Sequence, residues 1–421
     1  MASESSPLLG PIHLPGPGGP TEPNPRIHYL DNLRAVLTIL LIFQHSVMEM
    51  AQVAVNPSKA EVLPLAIFVA VNKNFLWALF FFVAGYSTYL SLRDKGDDSK
   101  FLVSRSIKVG LPACLWIIIG RSLLYRFLGA LGMGRIFDID HAYNAQTRMA
   151  GPVGFVIGLL ILDYTYITWR WCARSYPSLA PSKLLSKIAS SRRFFFSMVV
   201  LSCGVVITFT FFSCLGVRFY PSRFYHNFVY DIREYPSTPA PFVIAYIAGV
   251  GFTSIQQYLL FSLPKSVAVL AGSELVAYLS LYLAQLFMPV LWRSIQFRDR
   301  FIGPIYFADP GFNGHTIFYV LWSAFVLYAL AVSVISVFAQ SPLTNKNWGM
   351  WTRKTYIQTY IHMVPIVLAI YVLPSTGILG EVILKSVLVG IIGVLGSWGI
   401  AFLPTGLDWT ARRYVSWRER E

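Results

Sequence analysis

Residues 31–50 read DNLRAVLTILLIFQHSVMEM. The run is long and apolar enough to cross the hydrocarbon core of a bilayer, which takes about 20 residues of helix. Asp31 stands just before the apolar run, where an aspartate caps a helix N-terminus well. Three ionisable side chains interrupt the greasy face: Arg34, His45 and Glu49. Eleven positions separate Arg34 from His45. At about 100° and 1.5 Å per residue, their side chains point within about 20° of each other, about 16 Å apart along the axis. Glu49 follows His45 by one turn and shares that face. Ionisable groups at such depth cost at least about 2–3 kcal/mol each, and they face a cavity or a partner. A neutral imidazole takes a proton from an attacking hydroxyl, and a nearby carboxylate orients it. His45 and Glu49 are therefore the candidate catalytic pair. The alternative, which the stretch alone leaves open, is a histidine bonded to a neighbouring helix with Glu49 reaching the far interface. With no second histidine at helical spacing, metal catalysis is not expected.

The rest of the chain agrees with a membrane reading. Of its 421 residues, 55% are hydrophobic and 13% charged, whereas soluble domains carry roughly 25% charged residues. Ten apolar runs of spanning length occur, at about 33–54, 66–91, 102–129, 152–171, 194–215, 240–261, 267–291, 316–338, 356–373 and 381–403. The expected fold is an all-α polytopic membrane protein with about ten transmembrane helices. The formal charge of +14 fits topology signals and anionic headgroups; nucleic acid is not an expected partner. Placing both termini in the cytosol puts most of the 34 lysines and arginines on inner segments. Residues 1–29 form a Pro/Gly-rich leader without the build of a cleaved signal, read as a disordered cytosolic tail. Its ESSPLL is patterned like an endosomal or vacuolar sorting signal, which leaves open an endomembrane or the plasma membrane as the location. Residues 30–405 form the membrane domain and 406–421 a basic cytosolic tail. The non-cytosolic loops, which contain RIFDIDHAYNAQTR (135–148), RSIQFRDR (293–300) and the aromatic RFYPSRFYHNFVYDIREYP (218–236), are expected to roof a cavity. The four cysteines (Cys114, Cys172, Cys203, Cys214) have neither disulfide-framework nor zinc spacing. Phosphate-loop, HExxH and GxSxG motifs are absent.

The stripe on the first helix suits a substrate that is anionic at one end and reactive at the other. An acyl-coenzyme A has this form, with phosphates near the surface and a long arm ending at the acyl carbon. Five segments, the first helix among them, carry a family resemblance. YLDNLRAVLTILLIFQHS resembles the first transmembrane helix of the acyltransferase-3 family through Arg34, ten positions and His45. WALFFFVAGYSTYLSL resembles its second, with Gly85 and Tyr86 at Gly-aromatic positions. SRSIKVGLPACLW resembles a basic element ahead of proline through Arg105, Lys108 and Pro112. MAGPVGFVIGLLILDYTY resembles a GPLWF-type span, and TYIQTYIHMVPIV a late helix bearing His362. The matches run in family order over residues 28–405. The resemblance implies transfer of an acyl group, acetyl first among them, from cytosolic acyl-CoA to a hydroxyl of a lipophilic or secondary-metabolite acceptor. It implies His45 as general base. Arg34, Arg105 and Lys108 would contact the coenzyme A phosphates, with Gly85, Tyr86 and His362 beside the same co-substrate. No tightly bound cofactor is implied.

Physical chemistry supports the division, because arginine and lysine pair readily with phosphate. Gly85 would let backbone approach the thioester arm closely, or would serve helix packing. The sequence departs from the family at Ala84, Gly154 and Gly158, and the last two suggest an enlarged cavity. They leave open a membrane isomerase or cyclase that works without coenzyme A. A proton-coupled transporter using His45, Glu49 and Glu274 is a further alternative. Asp163 is expected to pair with a basic residue, and Glu274 with Lys265 or another helix.

Overall fold

The quoted stretch lies within helix α1 (His28–Val53) of a computed structural model. The structure describes residues 27–53, 59–95, 97–130, 151–219, 240–287, 312, 314–353, 355–373 and 380–418. Residues 1–26 of the leader, the loop stretches 135–148 and 293–300, the aromatic 218–236 loop beyond Phe219, and the last three residues lie outside them. His28 and Tyr29, read as the end of the disordered tail, already belong to α1. Because α1 starts at His28, Asp31 is in the first turn and is not the cap. Its carboxylate still faces the positive end of the helix dipole, and it lies 3.5 Å from the Arg34 guanidinium.

Helix α2 (Lys59–Lys95) follows. Helices α3 (Asp98–Arg105), α4 (Leu111–Leu115) and α5 (Arg121–Ala130) form one run, joined by π turns at Ser106–Gly110 and Trp116–Gly120. Pro112 accounts for the first π turn. Its ring crowds the carbonyl of Lys108 and it has no N–H to offer, so the backbone widens and Leu111 bonds back to the Ser106 carbonyl. Asp97 caps α3 by accepting the N–H groups of Ser99 and Lys100 at 2.9 and 3.1 Å. The Lys100 N–H bond holds its carboxyl below the usual range. That contribution to stability is present above the ordinary carboxylate pKa and is lost as pH falls through the lowered value.

The remaining helices are α6 (Gly151–Ser175), α7 (Pro181–Ser190), α8 (Arg192–Phe219), α9 (Ala240–Val250), α10 (Phe252–Leu259) and α11 (Leu263–Phe287). They are followed by α12 (Gly314–Gln340), α13 (Met350–Arg353), α14 (Thr355–Ile361), α15 (Met363–Val372) and α16 (Glu381–Arg418). Among the described residues, seven helices are long and apolar enough to cross a membrane, and nine spans result if two bent pairs are counted. The 25-residue α6 stands where the remaining expected span was placed. The chain is a nearly all-helical, polytopic membrane protein, with no strand among the described residues.

Two expected straight spans are broken. The pair α9–α10 bends by 98° at Gly251, whose open face is filled by Leu185. The pair α14–α15 bends by 48° at His362. Pro365 lacks the N–H that would bond the Ile361 carbonyl, so the helix kinks one turn before it.

Helix α2 forms the centre, with α1, α9 and α12 packed around it. Its approach to α9 depends on two glycines. A Cβ on Gly85 would stand 2.2 Å from the Tyr246 carbonyl oxygen, and one on Gly249 would stand 2.0 Å from that of Phe82. Small residues let membrane helices meet at this distance. Gly85→Ala is therefore expected to cost about 1–3 kcal/mol or more by overpacking. A thermal-unfolding scan in detergent would read this as a lowered midpoint, and an unchanged midpoint would mean that α9 yields freely. Helix α16 packs similarly, with Gly393 against Ile42 and Ile366 and Gly396 against Pro365.

Polar bonds gather one end of the bundle. Asn32 donates to the carbonyls of Thr344 and Lys346, both at 2.6 Å. Asp98, at the start of α3, pairs with Arg174 and, at 3.2 Å, with Arg170 near the end of α6. Arg34 lies toward this end of α1 and donates to the Thr352 carbonyl at 3.0 Å.

Candidate active site

Two helical stripes face each other inside the bundle. On α1, Arg34, Thr38 and His45 lie on one face, since steps of four and seven residues return a helix close to its starting direction. On α14, Thr355 and Thr359 lie on one face, and His362 continues it at the break into α15. Near the Arg34 end, a cavity of about 110 Å³ lies between the stripes, with Arg34, Thr38, Arg105, Thr355 and Thr359 in its wall. Phe80, Phe155 and Leu159 supply apolar wall, and Tyr356 a hydroxyl. Farther along, the rings of His45 and His362 stand 5.1 Å apart between centroids, tilted by 48°.

Arg105 is fixed from behind. Its Nε donates to Asp163 Oδ2 at 2.7 Å, and Asp163 is fully buried. The other carboxylate oxygen accepts from Thr88 Oγ1 at 2.7 Å and from the Tyr246 hydroxyl at 2.6 Å. This network joins α2, α3, α6 and α9 behind one wall of the cavity. Tyr356 ties the wall to the π turn by donating to the Val109 carbonyl at 2.9 Å.

The structure thus brings together four of the residues singled out in the sequence: Arg34 with Arg105, and His45 with His362. The other four stand apart from the cavity wall. Lys108 is exposed on the π turn. Gly85 faces the Tyr246 backbone, so the space its missing side chain leaves serves helix packing and offers no room for a thioester arm. Tyr86 is 4% exposed and packs edge-on against Phe252, 5.7 Å between centroids. Glu49 is half-buried one turn beyond His45, and no hydrogen bond joins the two among the described residues.

Three further expectations resolve in the same way. Gly158 does not widen the cavity, because the Phe81 ring lies 3.3 Å from where its Cβ would be. Asp163 pairs with a basic residue as expected. Glu274 and Lys265 are nine residues apart and so on opposite sides of α11, about 180° around the axis; Lys265 lies over the Phe261 ring instead, at 5.0 Å. Among the described residues, no group of three or more His, Cys, Asp and Glu side chains is placed to hold a metal ion.

Sequence reasoning missed Thr38, Thr88, Tyr246, Tyr356 and Thr359. Thr38 and Thr359 are on the faces already marked by Arg34 and His362, so helical spacing from those two was the available signal. Thr88 and Tyr246 gave none, because their role depends on how α2, α6 and α9 meet.

Residues 26–126 match the family model described as heparan-alpha-glucosaminide N-acetyltransferase, catalytic. The match indicates an acetyltransferase. It runs from the start of α1 into α5, and takes in Arg34, His45 and Arg105; Asp163 and His362 lie beyond it. The matching family is a membrane acetyltransferase family other than the acyltransferase-3 family that the motifs resemble, so the resemblance holds at the level of membrane acyl transfer. No curated protein and no solved structure gave a match to the chain.

Proposed function

We propose that this chain is a membrane O-acyltransferase that moves an acetyl or related acyl group from cytosolic acyl-CoA to the hydroxyl of a lipophilic or secondary-metabolite acceptor. The observation that carries the reading is that Arg34 and Arg105 line one cavity, and that Arg34 shares with His45 one face of α1. Two guanidinium groups favour the phosphates of coenzyme A. An imidazole about 16 Å farther along the helix is placed for the other end of an extended thioester. A hydroxyl must lose its proton as it attacks, and a neutral histidine serves that step. The match to an N-acetyltransferase catalytic model supports acetyl as the group moved. It also makes an amine the acceptor to test beside hydroxyls.

The test supplies labelled acetyl-CoA and hydroxyl or amine acceptors to the purified chain in lipid, with free coenzyme A and labelled product both measured. Arg34→Ala is expected to raise KM for acetyl-CoA by about 10- to 100-fold, the loss of a charged hydrogen-bonding contact, with kcat little changed. Arg105→Ala is expected to act in the same direction. Lys108→Ala, on the exposed π turn, is expected to change KM less than threefold, on the order of a surface charge. Product formed without any acyl donor would replace this reading with the isomerase or cyclase. Substrate flux across vesicles without a covalent product would replace it with the transporter.

A further inference from the structure

The neutral His362 is held in one tautomer by its own helix. Its Nδ1 lies 2.8 Å from the carbonyl oxygen of Gln358. A carbonyl oxygen only accepts, so Nδ1 carries the proton, and in a neutral imidazole Nε2 is then a bare acceptor. That Nε2 is buried on a side chain 2% exposed and has no hydrogen-bond partner. Its edge of the ring turns away from the backbone of α14, and the neighbouring ring is that of His45, 5.1 Å between centroids. Imidazole nitrogens lie about 1.1 Å from the ring centre, so an in-line N–H···N bond of about 2.9 Å sets two centroids about 5 Å apart. The separation suits such a bond, although the tilted rings do not make it in this structure. Catalytic hydrogen bonds often close only when substrate is present.

Resting on the acyl-transfer reading above, we propose that His362 is the positioning residue of the catalytic base. Its Nε2 accepts the N–H of His45 and so presents the other nitrogen of His45, as a lone pair, to the acceptor hydroxyl. The series runs from the Gln358 carbonyl through His362 and His45 to the substrate oxygen. It performs the orienting duty that a carboxylate performs in hydrolytic triads, with a neutral ring in its place. In the reaction, His45 takes the hydroxyl proton as the oxygen–carbon bond forms. The tetrahedral intermediate collapses with cleavage of the carbon–sulfur bond, and His45 returns the proton to the departing thiolate. The His362 lone pair stabilises the His45 imidazolium between these steps and itself ends unchanged. The kink set by Pro365 gives the arrangement its place, because it puts His362 at the break between α14 and α15.

The test compares His362→Leu with His362→Gln in the full chain in lipid nanodiscs, with His45→Ala alongside. Glutamine offers an oxygen acceptor near the position of Nε2, and leucine offers none. His362→Leu is expected to lower kcat by about 30-fold or more, with KM for acetyl-CoA within about twofold, the pattern of a lost transition-state interaction. His362→Gln is expected to recover about tenfold of that loss. Nitrogen-15 spectra of histidine-labelled protein are expected to show the Nδ1–H form at His362.

An unchanged kcat in His362→Leu beside an inactive His45→Ala would overturn the positioning role and leave the base in place. An active His45→Ala would overturn the base reading itself. An Nε2–H form at His362, equal loss in the Gln and Leu variants, or acyl label retained on the denatured protein would each overturn the proposal.

Discussion

His45→Ala is expected to remove acyl transfer, with kcat reduced by about 100- to 10,000-fold, the usual contribution of a positioned general base. The same variant is expected to keep its fold. Helix α1 is held by Leu33, Leu37, Leu41 and Ile42, each no more than 1% exposed, whereas His45 is only half-buried. It is also expected to bind acetyl-CoA normally. Arg34 and Arg105 line a cavity whose nearest α1 residue, Thr38, is seven positions before His45, about 10 Å along the axis. Isothermal titration with a non-hydrolysable acyl-CoA and a turnover assay on the same preparation separate these effects. Loss of turnover with binding retained supports the base. Loss of both would mean that the histidine pair holds the bundle together, and retained turnover would remove His45 from the chemistry.

The first helix was the most legible part of the molecule. Its length, its apolar face and the eleven-residue step from Arg34 to His45 are local properties, and periodicity reports them directly. The breaks were harder to see. Pro365 marks a kink in principle, yet the run around it is apolar enough to read as one straight span. At Gly251 no proline signals the 98° bend, which depends on Leu185 from a separate helix filling the space beside it.

The site divides along the same line. Arg34 and Arg105 share a cavity, and His45 meets His362, because distant helices pack that way; motif order suggested the residues but could not supply the pairing. Lys108 stands two positions before a glycine and four before Pro112, and the π turn these produce leaves it exposed. Gly85 fitted both a ligand contact and a packing contact, and only the position of the Tyr246 carbonyl distinguishes them. Glu49 shares a face with His45 by spacing, yet the ring that meets His45 belongs to a helix more than 300 residues later in the chain.

Asp163→Ala is expected to cost about 3–5 kcal/mol, because it strands the Arg105 charge along with the hydroxyls of Thr88 and Tyr246. In a chain of this size that loss lowers the unfolding midpoint by roughly 3–6 °C. KM for acetyl-CoA is expected to rise at the same time, since the guanidinium that lines the cavity loses the group that aims it. The double variant Asp163→Ala/Arg105→Leu separates the two consequences. Replacing both members of a buried pair with apolar groups is often neutral for stability, so the midpoint is expected to recover most of its loss. The KM is not expected to recover, because the positive charge on the cavity wall is gone. Recovery of both would make Arg105 a structural partner of Asp163 with no part in donor binding. Recovery of neither would place the stability in the bonds that Thr88 and Tyr246 make to the carboxylate at 2.7 and 2.6 Å. In the expected case, Asp163 is needed because Arg105 is, and Arg105 is retained at an energetic disadvantage for what it does at the cavity.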